Sequence, residues 1–274
     1  MTCLNVGDVS LNVEIQGEGP ALFTLHGFTG SSATWSPFLP DWRDRRTVVS
    51  IDLLGHGDSD APADPARYQV DRCVADLFAV ADQLGQARFD LLGYSLGGRV
   101  ALHLAATAPQ RIRALILESA SPGILDPDEC QARRDSDEGL AKLLETDGIQ
   151  AFVDRWEQVP LFASQRELPT EVRARLRAQR LRSNPLGLAN SLRGIGAGVM
   201  PPVHDRFGRV EAPTLLIVGA RDLKYVGIGR ELAMQLPRAR LEIVPGAGHA
   251  VHLERSAAFS EAIVGFLERA GATG

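Results

Sequence analysis

Short apolar runs separated by polar stretches dominate the pattern along this chain. Six of them are continuous, and they lie at residues 21–25, 47–51, 89–92, 114–117, 214–218 and 241–244. Continuous apolar strands are typical of a parallel sheet that is covered on both faces. Residues 9–17 alternate between apolar and polar instead, which predicts an antiparallel strand at the edge of the sheet.

Helical periodicity fills the intervals between several of these runs. It predicts helices at residues 73–84, 98–108, 227–236 and 257–270. Strands that alternate with helices in this way indicate an α/β fold with a doubly wound sheet.

The pattern changes between residues 123 and 200, where strand-like runs are missing and arginines and carboxylates are frequent. Apolar residues such as Phe152 and Trp156 recur there at helical spacing. We therefore predict a core formed by residues 1–122 and 201–274, with residues 123–200 inserted as a helical cap over the end of the sheet.

Composition narrows the choice of partners. The chain has 274 residues and a formal net charge of −5, which does not favour nucleic acid or an anionic membrane. No apolar run approaches the ~20 residues that span a bilayer, and no secretory signal is visible at the N-terminus. The three cysteines are scattered, as is typical of reduced thiols, and no Cys/His spacing suggests a zinc site. We expect a cytoplasmic, monomeric protein that uses no metal or organic cofactor and acts on a small molecule.

The motif Gly93-Tyr94-Ser95-Leu96-Gly97 is the first candidate for chemistry. A lone G-x-S-x-G is weak evidence, but this one follows a predicted strand and opens a predicted helix. That context is the nucleophile elbow, in which a sharp turn exposes the serine hydroxyl. Ser95 is therefore a predicted catalytic residue.

A serine hydroxyl needs a base and a carboxylate that orients the base. His249 follows the last predicted strand and Asp222 follows the strand before it. Because the carboxyl ends of parallel strands meet at one edge of a sheet, Ser95, Asp222 and His249 are expected to converge. Asp205 and His252 remain as less favoured alternatives.

The segment His26-Gly27-Phe28 follows another strand end. We predict an oxyanion hole formed by the backbone N–H groups of Phe28 and Leu96, since both would lie near the serine. His26 is expected to support this loop by hydrogen bonding, and His56 to shape the loop in which it lies.

Seven stretches of the chain together resemble the 2-succinyl-6-hydroxy-2,4-cyclohexadiene-1-carboxylate synthase (MenH) family of menaquinone biosynthesis. They are LHGFTGSSATW, DLLGHGDSD, LLGYSLGGRVAL, RWEQVPLFASQ, LANSLRGIGAG, PTLLIVGARDLKYV and PGAGHAVHLE. The stretch RWEQVPLFASQ is the most specific, because the core motifs recur in many hydrolases. The resemblance implies an α/β-hydrolase fold with a mostly parallel sheet of about eight strands, helices on both faces and a helical cap.

The resemblance also implies a lyase reaction without a cofactor, in which pyruvate is eliminated from a tricarboxylate. Guanidinium groups bind carboxylates through two parallel hydrogen bonds, which makes arginines the natural partners of such a substrate. The substrate-binding residues implied by the family are Arg99, Arg133, Arg180, Tyr94 and Trp156. Arg134 and Arg182 are alternatives to Arg133 and Arg180, and helix geometry favours Arg180 over Arg182.

The sequence also permits two other hypotheses about the function of these residues. A carboxylesterase or C–C bond hydrolase uses the same triad, because a fold does not define a reaction. A small-molecule receptor that has lost catalysis is the other alternative, and the intact triad argues against it.

Overall fold

One mixed sheet forms the centre of the protein, of which the computed structural model describes residues 2–271. Its eight strands are β1 (Thr2–Val6), β2 (Val9–Gln16), β3 (Ala21–Leu25), β4 (Thr47–Ile51), β5 (Phe89–Tyr94), β6 (Ile112–Glu118), β7 (Thr214–Gly219) and β8 (Ala239–Val244). They lie in the order β1-β2-β4-β3-β5-β6-β7-β8. β2 pairs antiparallel with β1 and β4, and all the other pairs are parallel.

All six continuous apolar runs lie in parallel strands, as the sequence predicts. The prediction that residues 9–17 form the edge of the sheet is wrong, because β2 is paired on both sides. The edge is β1, which the sequence analysis missed. β1 is largely exposed and carries polar residues, so it has no apolar run to detect.

Ten α-helices occur within residues 2–271. They are α1 (Leu39–Trp42), α2 (Val70–Gln83), α3 (Leu96–Thr107), α4 (Pro127–Thr146), α5 (Gly148–Trp156), α6 (Thr170–Leu181), α7 (Pro185–Ile195), α8 (Leu223–Gln235), α9 (Val251–Glu254) and α10 (Ser256–Gly271). Five short 3-10 helices lie at Ser32–Phe38, Pro65–Tyr68, Pro109–Arg111, Pro160–Glu167 and His204–Arg209. In the described part of the chain, no helix combines the length and the apolar character needed to cross a membrane.

The sheet separates two apolar clusters, because neighbouring side chains of a strand point to opposite faces. Leu22 of β3 packs with Trp35 and Phe259 on one face. Phe23, the next residue, packs on the other face with residues of α2 and α3 such as Val80. Both faces of each inner strand are therefore buried, which accounts for the continuous apolar runs.

Helices α4 to α7 lie in sequence between β6 and β7 and have a small core of their own. That cluster includes Leu144 of α4, Phe152 of α5 and Leu188 of α7. Phe28 from the loop after β3 packs against it, so the helical insertion contacts the end of the sheet where Ser95 lies. The division into residues 1–122 with 201–274 and residues 123–200 stays a prediction.

Candidate active site

Ser95 occupies a strained turn between β5 and α3. Its backbone has φ 51° and ψ −105°, a conformation that residues with a side chain rarely adopt. A Cβ atom on Gly93 would run into the carbonyl oxygen of Gly97, and one on Gly97 would run into the carbonyl oxygen of Leu25. The two glycines of the motif are therefore required by close backbone approach, and the serine side chain is left at the sheet edge.

The structure brings Ser95, His249 and Asp222 together. His249 Nε2 lies 3.0 Å from Ser95 Oγ, and His249 Nδ1 lies 2.8 Å from Asp222 Oδ2. His249 and Asp222 are buried, which shields both hydrogen bonds from water. The alternative carboxylate, Asp205, lies in the 3-10 helix His204–Arg209, and His252 is bound to Glu118 instead. This geometry permits the hydroxyl proton of Ser95 to pass to His249.

Two buried carboxylates that the sequence analysis missed fix the segment around His249. Glu254 accepts hydrogen bonds from the backbone N–H of Gly248 at 2.7 Å and of Ala250 at 3.4 Å, on either side of the histidine. Glu118 accepts a hydrogen bond from the backbone N–H of His252 at 3.0 Å. A charged residue at the end of the apolar strand β6 is the signal that sequence reasoning could have used for Glu118.

Phe28 and Leu96, the predicted oxyanion-hole residues, both line the cavity above Ser95. Neither backbone N–H donates to another backbone group among residues 2–271. The loop that carries Phe28 is held by His26, whose Nε2 accepts a hydrogen bond from Leu53 N at 3.0 Å. The oxyanion hole stays a prediction, and the geometry leaves its two donors available to a ligand.

His56 lies beneath this loop and is 1% exposed. Its Nδ1 lies 3.1 Å from the carbonyl oxygen of Leu54, while its Nε2 has no partner among the described residues. Burial is the main cause that lowers the pKa of His56 to about 3. The imidazole is therefore neutral in the folded protein throughout the physiological pH range.

We expect His56 to make the fold sensitive to acid. Its pKa is 6.5 in the unfolded chain and lower in the folded protein, so the unfolded chain binds the extra proton between those values. The free energy of unfolding therefore falls as the pH falls below about 6.5, by ~2 kcal/mol per such histidine between about pH 7 and pH 5. In urea unfolding, the free energy of unfolding of His56→Leu should therefore fall by ~2 kcal/mol less than that of the wild type between about pH 7 and pH 5. An equal loss in both proteins would contradict this account.

Arg99 lies one turn after Ser95 on α3 and points its guanidinium at the same cavity. It is 9% exposed, its Nη1 has no partner, and no carboxylate of the described residues forms an ion pair with it. Burial lowers the pKa of Arg99 to about 10, so it stays protonated at neutral pH. Asp137 is the nearby carboxylate that acts on Arg99 electrostatically, but it forms its ion pair with Arg133. A buried guanidinium without an ion pair of its own is suited to binding an anion.

Arg133 and Arg180 line the same cavity from the cap helices. Arg133 Nε donates to Asp137 Oδ1 at 2.9 Å, and Arg180 Nη2 donates to Gln165 Oε1 at 3.1 Å. Burial also lowers the pKa of Arg180. The three arginines implied by the resemblance thus surround one space above Ser95.

The two alternative arginines do not line this cavity. Arg134 donates to the carbonyl oxygen of Gly198 and to Gln131. Arg182 follows the last residue of α6 and is exposed. At about 100° per residue, Arg182 is turned ~200° from Arg180 around the helix axis, which explains the difference.

Tyr94 and Trp156 complete the predicted set, and both line the cavity. The ring of Trp156 packs edge-on against Phe28 with 5.3 Å between ring centroids, and its buried Nε1 has no partner among the described residues. Burial is the main cause that raises the pKa of Tyr94. Gln165 and Tyr225 also line this space, although no motif in the sequence predicts a role for them.

We expect the two neighbouring arginines of α6 to differ sharply in their effect on catalysis. Arg180→Gln removes a charged hydrogen-bond donor from the cavity, and it should lower kcat/KM for the natural substrate about 10- to 100-fold. Arg182→Gln makes the same change on the exposed side and should leave kcat/KM within about twofold of the wild type. Steady-state kinetics measures kcat/KM of both variants. An equal fall in kcat/KM for Arg180→Gln and Arg182→Gln would contradict the placement of Arg180 in the cavity.

The described residues contain no group of three His, Cys, Asp or Glu side chains that is placed to hold a metal ion. The polar side chains around the cavity include the hydroxyls of Ser95, Tyr94 and Tyr225, the amide of Gln165 and three guanidiniums, and the imidazole of His249 lies against Ser95. This set suits proton transfer and the binding of an anion.

The chain is similar to several known proteins. A profile of the alpha/beta hydrolase fold matches residues 20–256. A Bacillus subtilis (strain 168) protein, provisionally named 2-succinyl-6-hydroxy-2,4-cyclohexadiene-1-carboxylate synthase, is 44% identical over 92% of this chain and 93% of its own length. The synthase of that name from Enterobacter sp. (strain 638) is 31% identical over 90% of this chain and 92% of its own length.

A solved structure is similar as well. MenH from S. aureus superposes with a TM-score of 0.91 at 36% identity, and the match covers 95% of this chain and 98% of that one. The similarity therefore extends through the helical insertion as well as the sheet.

Proposed function

Because the chain belongs to the 2-succinyl-6-hydroxy-2,4-cyclohexadiene-1-carboxylate synthase family of the α/β-hydrolase fold, we propose that it catalyses that family's lyase reaction. The reaction eliminates pyruvate from 2-succinyl-5-enolpyruvyl-6-hydroxy-3-cyclohexene-1-carboxylate. Its other product is 2-succinyl-6-hydroxy-2,4-cyclohexadiene-1-carboxylate, an intermediate of menaquinone biosynthesis. The observation that carries the proposal is the buried Arg99, which has no counter-ion of its own and lies one helical turn from Ser95.

The charge of the cavity fits this substrate. The substrate has three carboxylates, and further negative charge develops on an oxygen during the reaction. Arg99, Arg133 and Arg180 supply three guanidiniums around one space. A simple ester has no need of three cations, so the arginines favour the tricarboxylate over an ester as substrate.

The triad acts as a base in this proposal. The Nδ1–H of His249 donates to Asp222, which leaves Nε2 to accept the hydroxyl proton of Ser95. The serine oxygen then removes a proton from the carbon next to a carbonyl group of the substrate. The electron pair of that C–H bond forms an enolate, whose oxygen accepts hydrogen bonds from the N–H groups of Phe28 and Leu96.

Collapse of the enolate completes the elimination. Its electrons form a C2=C3 double bond, the existing C3=C4 double bond shifts to C4=C5, and the C5–O bond to the enolpyruvyl group breaks with its electron pair on the departing oxygen. The enolpyruvate that leaves takes up a proton at its methylene carbon and becomes pyruvate. A positioned base of this kind contributes about 10²–10⁴-fold to the rate.

We also propose a monomer in the cytoplasm that acts on this small molecule. The cysteines Cys3, Cys73 and Cys130 are free thiols, which is typical of a reducing compartment.

A pyruvate-release assay tests the function. The purified protein is supplied with the enolpyruvyl substrate, and pyruvate is followed with a coupled dehydrogenase, while p-nitrophenyl butyrate serves as an ester control. Pyruvate formation that far exceeds ester hydrolysis is the expected result. Ester hydrolysis without pyruvate, together with an acyl-serine detected by mass spectrometry, would contradict the proposal and favour a carboxylesterase.

A further inference from the structure

A second cavity lies on the outside of the cap, between the 3-10 helix Pro160–Glu167 and α6. We call it the access groove. Phe162, Gln165, Leu176 and Arg180 line both the access groove and the cavity above Ser95. These four residues therefore form the wall between the two spaces.

The access groove has more positive than negative side chains. Four arginines line it, namely Arg166, Arg173, Arg177 and Arg180, against the single carboxylate of Glu157. Arg177 is neutralised by Asp154 and Glu157, and Arg166 donates to the amide of Gln158. A groove lined by one sign of charge concentrates oppositely charged ligands.

Arg173 differs from its neighbours in the groove. Its side chain is exposed and makes no hydrogen bond or ion pair within the part of the chain that the structure describes. It therefore offers a complete guanidinium to a ligand that arrives from solvent. One such charge is not a binding site, but this one lies in a groove that ends at the buried Arg180.

Arg180 separates the two spaces by contacts that an anion can replace. Its Nη1 lies 3.2 Å from Glu157 Oε1, and its Nη2 lies 3.1 Å from Gln165 Oε1. Both distances are at the long end of the normal range. A carboxylate that binds the guanidinium through two parallel hydrogen bonds makes a stronger contact than the neutral amide of Gln165.

We propose that the access groove is the route by which the carboxylate-bearing substrate reaches Ser95. Carboxylates bind first at Arg173 and Arg166 and then at Arg180, which exchanges Gln165 for the substrate as it passes into the inner cavity. This inference rests on the proposed function, since it assumes a polyanionic substrate. It assigns Arg173 to substrate capture and gives it no part in the chemistry.

Helix α6 supplies a matched control for the test. Arg175 is exposed, does not line the access groove and lies two residues from Arg173, which turns it ~200° away around the helix. Arg173→Gln and Arg175→Gln therefore remove the same charge from the same helix. Neither substitution removes a side-chain hydrogen bond or ion pair within the described residues, so both variants are expected to fold as the wild type does.

The experiment measures the rate of substrate association in a protein that cannot turn the substrate over. Each substitution is combined with Ser95→Ala, and stopped-flow tryptophan fluorescence follows binding, because Trp156 lines the inner cavity. At about 20 mM salt we expect Arg173→Gln to lower the association rate constant about three- to tenfold. Arg175→Gln should change it less than about twofold, and the difference should shrink at about 500 mM salt, where charges are screened.

The outcomes separate the route from the reaction. Equal rate constants for the two variants, or an equal loss in both, would overturn the access groove even if the wild type releases pyruvate. A selective loss in Arg173→Gln supports the groove, and a wild type that releases no pyruvate would then overturn the proposed function alone. Absence of any saturable fluorescence change, together with no pyruvate release by the wild type, would contradict both.

Discussion

Ser95→Ala is expected to lower kcat for pyruvate release by about 10²–10⁴-fold, with little change in the affinity for substrate. The serine oxygen is the atom that stands between His249 Nε2, at 3.0 Å, and the space where the substrate binds. Alanine removes this oxygen but keeps the Cβ atom and the arginines of the cavity. Steady-state kinetics with the enolpyruvyl substrate should therefore show a loss in kcat that far exceeds any change in KM.

Ser119→Ala is the matched control for this result. Ser119 follows the neighbouring strand β6, is buried, also has a positive φ of 46°, and its Oγ has no partner among the described residues. Its replacement should leave kcat within about twofold of the wild type, since no hydrogen bond is lost. Ser95→Ala protein that keeps full kcat would show that the serine is not the base.

Arg99→Met is expected to combine a large loss of activity with no loss of stability. Removal of a buried charged partner of a bound carboxylate costs about 2–5 kcal/mol, which corresponds to a fall in kcat/KM of roughly 30- to 5,000-fold. Arg99→Lys should keep more of the wild-type kcat/KM than Arg99→Met but not all of it, because an ammonium group cannot form the two parallel hydrogen bonds. Kinetics with the enolpyruvyl substrate measures both variants.

The stability of Arg99→Met distinguishes a binding role from a structural one. In the free protein, Arg99 is a buried cation without a counter-ion, so methionine should leave the free energy of unfolding unchanged or raise it by up to about 1 kcal/mol. Urea unfolding of the ligand-free protein tests this point. A marked loss of stability that parallels the loss of activity would show that Arg99 supports the fold rather than the substrate.

The sequence predicts the α/β-hydrolase fold, and the comparisons confirm it. The inner strands could be found because burial on both faces leaves continuous apolar runs. β1 could not, since an exposed edge strand has no such run. The order of Ser95, Asp222 and His249 could be used because the ends of parallel strands meet at one edge of the sheet, and the structure places the three within hydrogen-bond distance.

Helix geometry alone could choose between neighbouring arginines at one site of the cap but not at the other. Arg180 could be separated from Arg182 by helix geometry, because Leu176 of the same helix marks its inner side. Arg133 could be preferred to Arg134 by resemblance alone. The contacts of Glu254 with Gly248 and Ala250 depend on how the chain folds back on itself, and no periodic pattern records them.

A crystal structure of Ser95→Ala with the enolpyruvyl substrate tests the central claim most directly, namely that three arginines hold a tricarboxylate over a serine base. The account predicts substrate carboxylates within hydrogen-bond distance of Arg99, Arg133 and Arg180. It also predicts that the C–H bond to be broken faces the position of the missing serine oxygen. A substrate whose carboxylates lie in solvent, or whose carbonyl carbon faces residue 95 as in an acyl transfer, would contradict it.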